Sequence, residues 1–269
     1  MSDTHAHETR YFVGDPHGGD PPQGRYAEGD RAAWERPIGD GELYDPARRD
    51  IFNFIDETKV AHLRPLLPPG GRAIEIGAGS GRLLIRLGLE RPYRLVALDY
   101  APYAVRAVRE NLRRARRAGH VLFGDARALP FPDSSFAVVL SGGLLEHFRD
   151  PAPVLAEMSR ILRPGGLFYA DIVPRRVSLY RWAERSRIAR DDQLSEGIYE
   201  SDLGKGAWTA LLRGAGLRDV RVISAGVYPP YTLRGYEELT WRYGGLLRAL
   251  DGTVIADLLG FFYLCTARK

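Results

Sequence analysis

The sequence predicts an α/β fold, a doubly wound, mostly parallel sheet of seven strands covered on both faces by helices. Three observations predict it. From Arg72 onward, short apolar runs alternate with helix-length stretches; the first strand ends on a glycine loop; and no internal repeat or low-complexity linker divides the chain. Strands alternating with helices of this length need crossover connections, which are right-handed and build a parallel sheet.

Asp45-Pro46 marks the first helix start, with Asp as N-cap and Pro in the first turn. Ile51, Phe52, Ile55, Leu63 and Leu66 give that helix an apolar stripe, and Pro68 to Gly71 stop it. Strands then follow over 73–76, 94–98, 121–123, 137–141, 167–172, 219–224 and Phe261–Thr266, with helices over 80–91, 101–118, 151–162 and 206–215. The last strand is continuous and apolar enough to lie inside the sheet. Residues 174–203 and 227–258 break the rhythm and read as partly helical cap insertions.

The composition bounds what else the chain can be. Of 269 residues 45% are hydrophobic, an ordinary globular content. No apolar run reaches the roughly 18 residues of a membrane span, and the N-terminus is too polar to open a signal peptide, so a cytoplasmic protein with no membrane partner is expected. Cys265 is the lone cysteine, which excludes an internal disulfide and Cys-rich metal sites, and His5, His7 and His17 lack ligand spacing, so no metal is expected. Residues 1–42 contain only Val13 and Ile38 as larger aliphatics, so they form a flexible segment that orders only by docking rings such as Tyr26 and Trp34 onto domain 43–269. The net charge of +4 raises nucleic acid as a partner. Yet only Lys59, Lys205 and Lys269 are lysines among 38 basic residues, and the densest run, Arg106 to Arg117, reads as a solvated helix face.

The glycine loop, "EIGAGSGR" from Glu75 to Arg82, invites a nucleotide. A dinucleotide fingerprint is G-x-G-x-x-G; here Arg82 stands where the third glycine falls, which weakens a nicotinamide oxidoreductase reading. Acidic residues then recur at successive strand ends, the edge at which ligands bind in open α/β sheets: Glu75, Asp99 in "LVALDY" and Asp125 in "GDARALPF". With "AIEIGAGSGRLL", "SGGLLEHF" and "ILRPGGLFYADI" in the same order, the chain resembles the class I S-adenosylmethionine-dependent methyltransferases, closely over 70–173 and in architecture over 205–267.

That resemblance implies a Rossmann-like fold and S-adenosyl-L-methionine as cofactor. It implies that Gly77, Ala78, Gly79 and Gly81 pass along the methionine part with help from Glu75, and that Asp99 takes the ribose hydroxyls beside Tyr100. Asp125 and the Ala126 amide then meet adenine, and Gly142 and Gly143 line the methionine side. A purely structural reading gives the glycines a turn and Asp125 a cap. Asp99, closing an otherwise apolar strand, resists such a reading. Ala137 departs from the family, which usually has Asp there.

Methyl transfer is an in-line displacement, so alignment and exclusion of water come first and a general base is needed only if the nucleophile must lose its proton early. His147 is the candidate base, against a plainer role in packing beside the cofactor; Glu146 is secondary. Tyr180, Tyr228, Tyr231 and Trp241 in the insertions, with Tyr26 and Trp34 as a lid, are candidates for holding a planar or apolar small molecule, against a role in packing the cap. The expected function is methylation of a small, specialised metabolite, with oxygen favoured over nitrogen or carbon. The alternatives are an RNA-modifying methyltransferase and a non-catalytic S-adenosylmethionine-binding protein.

Overall fold

The computed structural model describes residues 43–173, 199–229 and 233–269. The N-terminal segment with Tyr26 and Trp34, most of the first insertion with Tyr180, and Tyr231 lie outside the described residues.

One half of the sheet comes from β1 (Gly71–Ile76), α2 (Arg82–Glu90), β2 (Tyr93–Asp99), α3 (Pro102–Arg114) and β3 (Gly119–Phe123). The other comes from β4 (Phe136–Gly142), α4 (Ala152–Ile161), β5 (Leu162–Ile172), α5 (Lys205–Gly214), β6 (Arg218–Ala225) and β7 (Phe262–Arg268). Short helices α6 (Tyr236–Arg242), α7 (Gly244–Ala249) and α8 (Val254–Leu259) occupy the second insertion. The strands form a seven-stranded sheet in the order β3-β2-β1-β4-β5-β7-β6, parallel except for β7, which runs antiparallel to both its neighbours. The chain order reverses beside β1, so the ends of β1 and β4 form the switch point at which such sheets bind ligands. β5 begins earlier than the sequence suggests, at Leu162: its register with β4 jumps between Phe136 and Val138, where Pro164, Gly165 and Gly166 loop out.

Alternation along the strands divides the core. Ala73 and Leu140 face the layer of α1 (Ile51–Leu63), α2 and α3 with Leu63, Leu84 and Val108, whereas Ile74, Val139 and Phe168 face α4 and α5 with Met158 and Trp208. Ala137 is buried, and a Cβ on Gly71 would lie 2.9 Å from its Cβ, so a side chain at position 71 would crowd the strand entry.

α1 (Ile51–Leu63) departs from expectation at both ends of the reading. It starts after Asp50, whose Oδ1 accepts the Asn53 amide at 2.8 Å, while Asp45 merely closes the preceding turn on the Ala47 amide. Its apolar stripe is also different. Phe52 is 52% exposed, and the buried residues are Asn53, Phe54, Asp56, Thr58, Val60 and Leu63. The polar members meet charges on the sheet side. Arg82 sends Nε to Asp56 Oδ2 at 3.0 Å and Nη2 to Asn53 Oδ1 at 2.8 Å, and Lys59 Nζ lies 2.9 Å from Asp171 Oδ2. Phe54 packs edge-on to Trp241, with ring centroids 6.0 Å apart, in a cluster with Tyr228, Leu247 and Phe261. Trp241 also donates its Nε1 proton to Asp50 O at 3.2 Å.

Phe54→Ala empties that joint. It should cost about 3–5 kcal/mol, read as a lower urea midpoint at unchanged m-value; a loss within experimental error would show that α1 docks by other means.

Candidate functional site

The loop after β1 turns through three glycines of positive φ: Gly77 (66°), Gly79 (53°) and Gly81 (67°). Gly81 caps α2 so close to α3 that a Cβ there would lie 3.0 Å from Val108, whereas a Cβ on Gly79 would meet nothing within 4 Å. That open side lets a ligand lie against the backbone. The loop is held from behind by the next strand: the Gly77 and Ala78 amides donate to Leu98 O at 2.9 and 3.2 Å, and the Gly79 amide to Asp99 Oδ2 at 2.8 Å. Asp99 Oδ1 accepts the Ala101 amide, also at 2.8 Å. Burial raises the Asp99 carboxyl above its ordinary range, while the amides of Ala101, Gly79 and Tyr100 hold it back. A carboxylate has about four acceptor positions. With the Gly79, Ala101 and Tyr100 amides on it, Asp99, 9% exposed, retains one position for a hydroxyl.

Glu75 on β1 accepts the Leu84 amide at 3.2 Å, and burial pushes its carboxyl up to about 8, only partly offset by that bond and Lys59. Beyond β2, the Tyr100 and Phe123 rings stack at 6.0 Å and 22°, with Phe123 left 42% exposed. Asp125, Ala126 and Arg127 follow β3, and Asp125 Oδ1 accepts the Arg127 amide at 2.9 Å.

The loop after β4 does more than line a pocket. The Gly143 amide donates to Asp171 O at 2.9 Å, and a Cβ on Gly142 would lie 3.1 Å from Asp171 Oδ1, so this backbone rests against the end of β5. In the 3₁₀ turn Leu145–His147, Glu146 Oε1 accepts the Val173 amide at 2.8 Å and Glu146 O accepts the Ser201 amide at 2.8 Å. His147 Nδ1 stands 2.8 Å from Tyr199 O. Residues 146 and 147 thus grip both the point where the first insertion leaves β5 and the point where it returns. Burial lowers the His147 pKa, against the Tyr199 carbonyl and Glu200. Glu146, 1% exposed, is pushed up to about 8 by burial, and its Oε2 has no hydrogen-bond partner.

The expected residues Glu75, Gly77, Ala78, Gly79, Gly81, Asp99, Tyr100, Asp125, Ala126, Gly142, Gly143 and His147 all sit at the carboxyl edge of the sheet or in the loops leaving it. Tyr228 and Trp241 belong instead to the joint between α1 and the second insertion. Lys59, Phe123, Arg127 and Asp171 were not anticipated. Asp171 carries the same signal as Asp99, an acid closing the apolar run "GLFYADI", and Lys59 is a rare lysine in an arginine-rich chain.

A 27-O-demethylrifamycin SV methyltransferase of Amycolatopsis mediterranei is 30% identical over 193 residues, covering 70% of this chain and 67% of that protein. A family described as a methyltransferase domain matches residues 74–170. The chain belongs to the class I S-adenosylmethionine-dependent methyltransferases. A malonyl-[acyl-carrier protein] O-methyltransferase of Serratia marcescens is 33% identical over 51% of this methyltransferase and 49% of its own length. In fold it resembles a solved SAM-dependent methyltransferase of Thermotoga maritima, described as a possible histamine N-methyltransferase, with TM-score 0.57 and 23% identity over 81% of this chain and 91% of that one. S-adenosylmethionine is the cofactor of the methyltransferase, and it supplies the activated methyl group. The residues present fit it: an open Gly79 backbone and an amide-braced Asp99 with unused acceptor capacity suit an adenosyl ligand. Among the described residues no helix is long and apolar enough to cross a membrane.

Replacing Asp99 by Asn sets a side-chain NH₂ against the Gly79 or Ala101 amide and removes an acceptor. Cofactor affinity measured by calorimetry should fall about tenfold or more. Glu146→Gln tests the buried acid. Its carboxyl ionises near 4.5 in the unfolded chain but near 8 in the fold, so its contribution to stability is present below pH 4.5 and is lost as pH rises to 8. The Gln variant should therefore gain a few degrees in Tm relative to the wild type between pH 5 and 8; parallel curves would refute the buried protonated state.

Proposed function

We propose that this methyltransferase moves the methyl group of S-adenosylmethionine to an oxygen of a small, specialised metabolite enclosed between the sheet's carboxyl edge and the two insertions. One observation carries the reading: both insertions depart and rejoin at the edge that bears the glycine loop. The first joins the end of β5 to α5, and the second joins the end of β6 to the start of the antiparallel β7. Chain added there encloses an acceptor and excludes water from it. The 27-O-demethylrifamycin relative and the acyl-carrier-protein O-methyltransferase support oxygen as the acceptor atom. Glu75, the glycine loop, Asp99 and Asp125 bind the cofactor, with Gly142 and Gly143 beside its methionine part. The arginine-rich α3 lends RNA no specific support, since Arg113 and Arg114 both pair with Glu110 within the helix.

His147 acts in this reading by holding the insertion, because its Nδ1 is engaged with Tyr199 O. Burial lowers its pKa and so favours the neutral ring. Mixing the pure protein and labelled S-adenosylmethionine with a cell extract should yield a labelled small molecule by mass spectrometry, and label appearing only in RNA would overturn the assignment. His147→Asn, whose amide can replace the Nδ1 donor, should keep turnover within about threefold while His147→Ala loses about tenfold or more, as expected for a lost buried hydrogen bond. Equal losses in the two variants would restore His147 as the base.

A further inference from the structure

The adenine end contains a conflict that points to a competing contact. Asp125 and Arg127 share the turn after β3, and three N–H groups of Arg127 converge on the Asp125 carboxylate, the Nε–H being shared between its two oxygens. The Arg127 amide donates to Oδ1 at 2.9 Å, the guanidinium Nε reaches Oδ1 at 2.9 Å and Oδ2 at 3.0 Å, and Nη2 reaches Oδ2 at 2.5 Å. A carboxylate offers about four acceptor positions, so a further donor finds at most one while the guanidinium fork is seated. The proposed function nevertheless gives Asp125 the 6-amino group of adenine, and the role assigned to Arg127 rests on that reading.

We propose that Arg127 is a displaceable competitor for adenine, a positioning residue that occupies the Asp125 carboxylate and so sets cofactor affinity. Three features support displacement. The side chains of Arg127 and Asp125 are 25% and 34% exposed, so the pair keeps contact with water and is worth little. The Arg127 amide stays on Oδ1 when the guanidinium swings out, so the turn keeps its shape. The Tyr100–Phe123 stack stands at the same strand ends and supplies a ring surface besides the carboxylate. An adenine amino group brings a donor that replaces the departing guanidinium. A 6-oxo purine brings an acceptor, which cannot replace it and leaves the carboxylate facing an oxygen. The competition also weakens the hold on the spent cofactor, which has the same adenine, and so favours its release.

Calorimetric titration of the full chain with S-adenosylhomocysteine and with S-inosylhomocysteine tests this. Arg127→Leu should bind the adenosyl ligand about two- to fivefold more tightly, the worth of a partly exposed ion pair, and the inosyl ligand no more tightly than the wild type does. Arg127→Gln should shift in the same direction and serves if the Leu variant folds poorly. Unchanged or weaker adenosyl binding, or equal tightening of both ligands, overturns the proposal. Asp125→Ala separates it from the underlying reading. If Asp125→Ala weakens adenosyl binding but Arg127→Leu does not tighten it, Asp125 remains the adenine acceptor and the competition fails. If Asp125→Ala leaves adenosyl binding unchanged, the adenine assignment fails and the proposal falls with it. In the Asp125→Ala background the Arg127→Leu gain should vanish.

Discussion

The hydrogen bond from the Gly79 amide to Asp99 fixes the glycine loop on which the site depends. Three glycines at positive φ in one turn leave an unfolded chain with much freedom to lose, so something outside the loop must hold it. That support comes from β2, through Leu98 O and the Asp99 carboxylate. It therefore depends on the parallel register of β1 and β2, in which Ile76 stands opposite Leu98. A slip of one residue would carry Asp99 away from the loop and reverse every side chain of the strand. Sheet register and ligand site are in this sense a single constraint.

α1 extends that constraint to the other face of the loop. A helix that buries Asn53 and Asp56 and half-buries Lys59 looks poorly designed until its partners are counted: Arg82 and Arg86 on α2 and Asp171 on β5. Such pairs are weak evidence of added stability, because desolvation costs nearly what attraction returns. Their effect is on placement. If α1 shifted by one turn, Arg82 and Asp171 would be left as buried charges without their partners, so the helix has one acceptable seat. Arg82, which argues against a dinucleotide loop in the sequence, is the residue that provides it.

The sheet was legible because apolar runs with period two announce strands regardless of their partners. So were Asp99 and the glycine loop, since an acid closing an apolar strand and clustered glycines have few other uses. Capping was less legible: Asp45 and Asp50 are both acids before helical sequence, and only the packing of α1 selects the second. The stripe of α1 misled for a different reason. Phe52 belongs to the stripe by spacing, but the buried face is chosen by charges from distant strands, and periodicity counts only apolar residues. Glu146 looked secondary beside His147, yet it is the more deeply buried of the two, because its bonds go to Val173 and Ser201, remote in sequence. The orientation of β7 was invisible for the same reason.

Charge balance orders the carboxylates at this edge. Asp56, Glu75, Glu146 and Asp171 are all buried, whereas the basic groups that reach them in ion pairs are Lys59 and Arg82, with Arg86 farther off. Burial lowers the tendency of Lys59 to hold its proton, but Asp171, Asp56 and Glu75 outweigh that and hold its pKa above the ordinary value. With Lys59 on Asp171 and Arg82 on Asp56, no cation among the described residues remains within ion-pair distance of Glu75 or Glu146, and these are the two carboxyls that burial pushes up to about 8. They differ in what they can meet. Glu146 is enclosed behind Val173, so its neutrality is structural. Glu75 sits one residue before the last residue of β1, at the mouth of the glycine loop, where the proposed function brings an ammonium group. An arriving cation favours the ionised form of a nearby carboxyl, so on the proposed function the charge of Glu75 follows occupancy of the site.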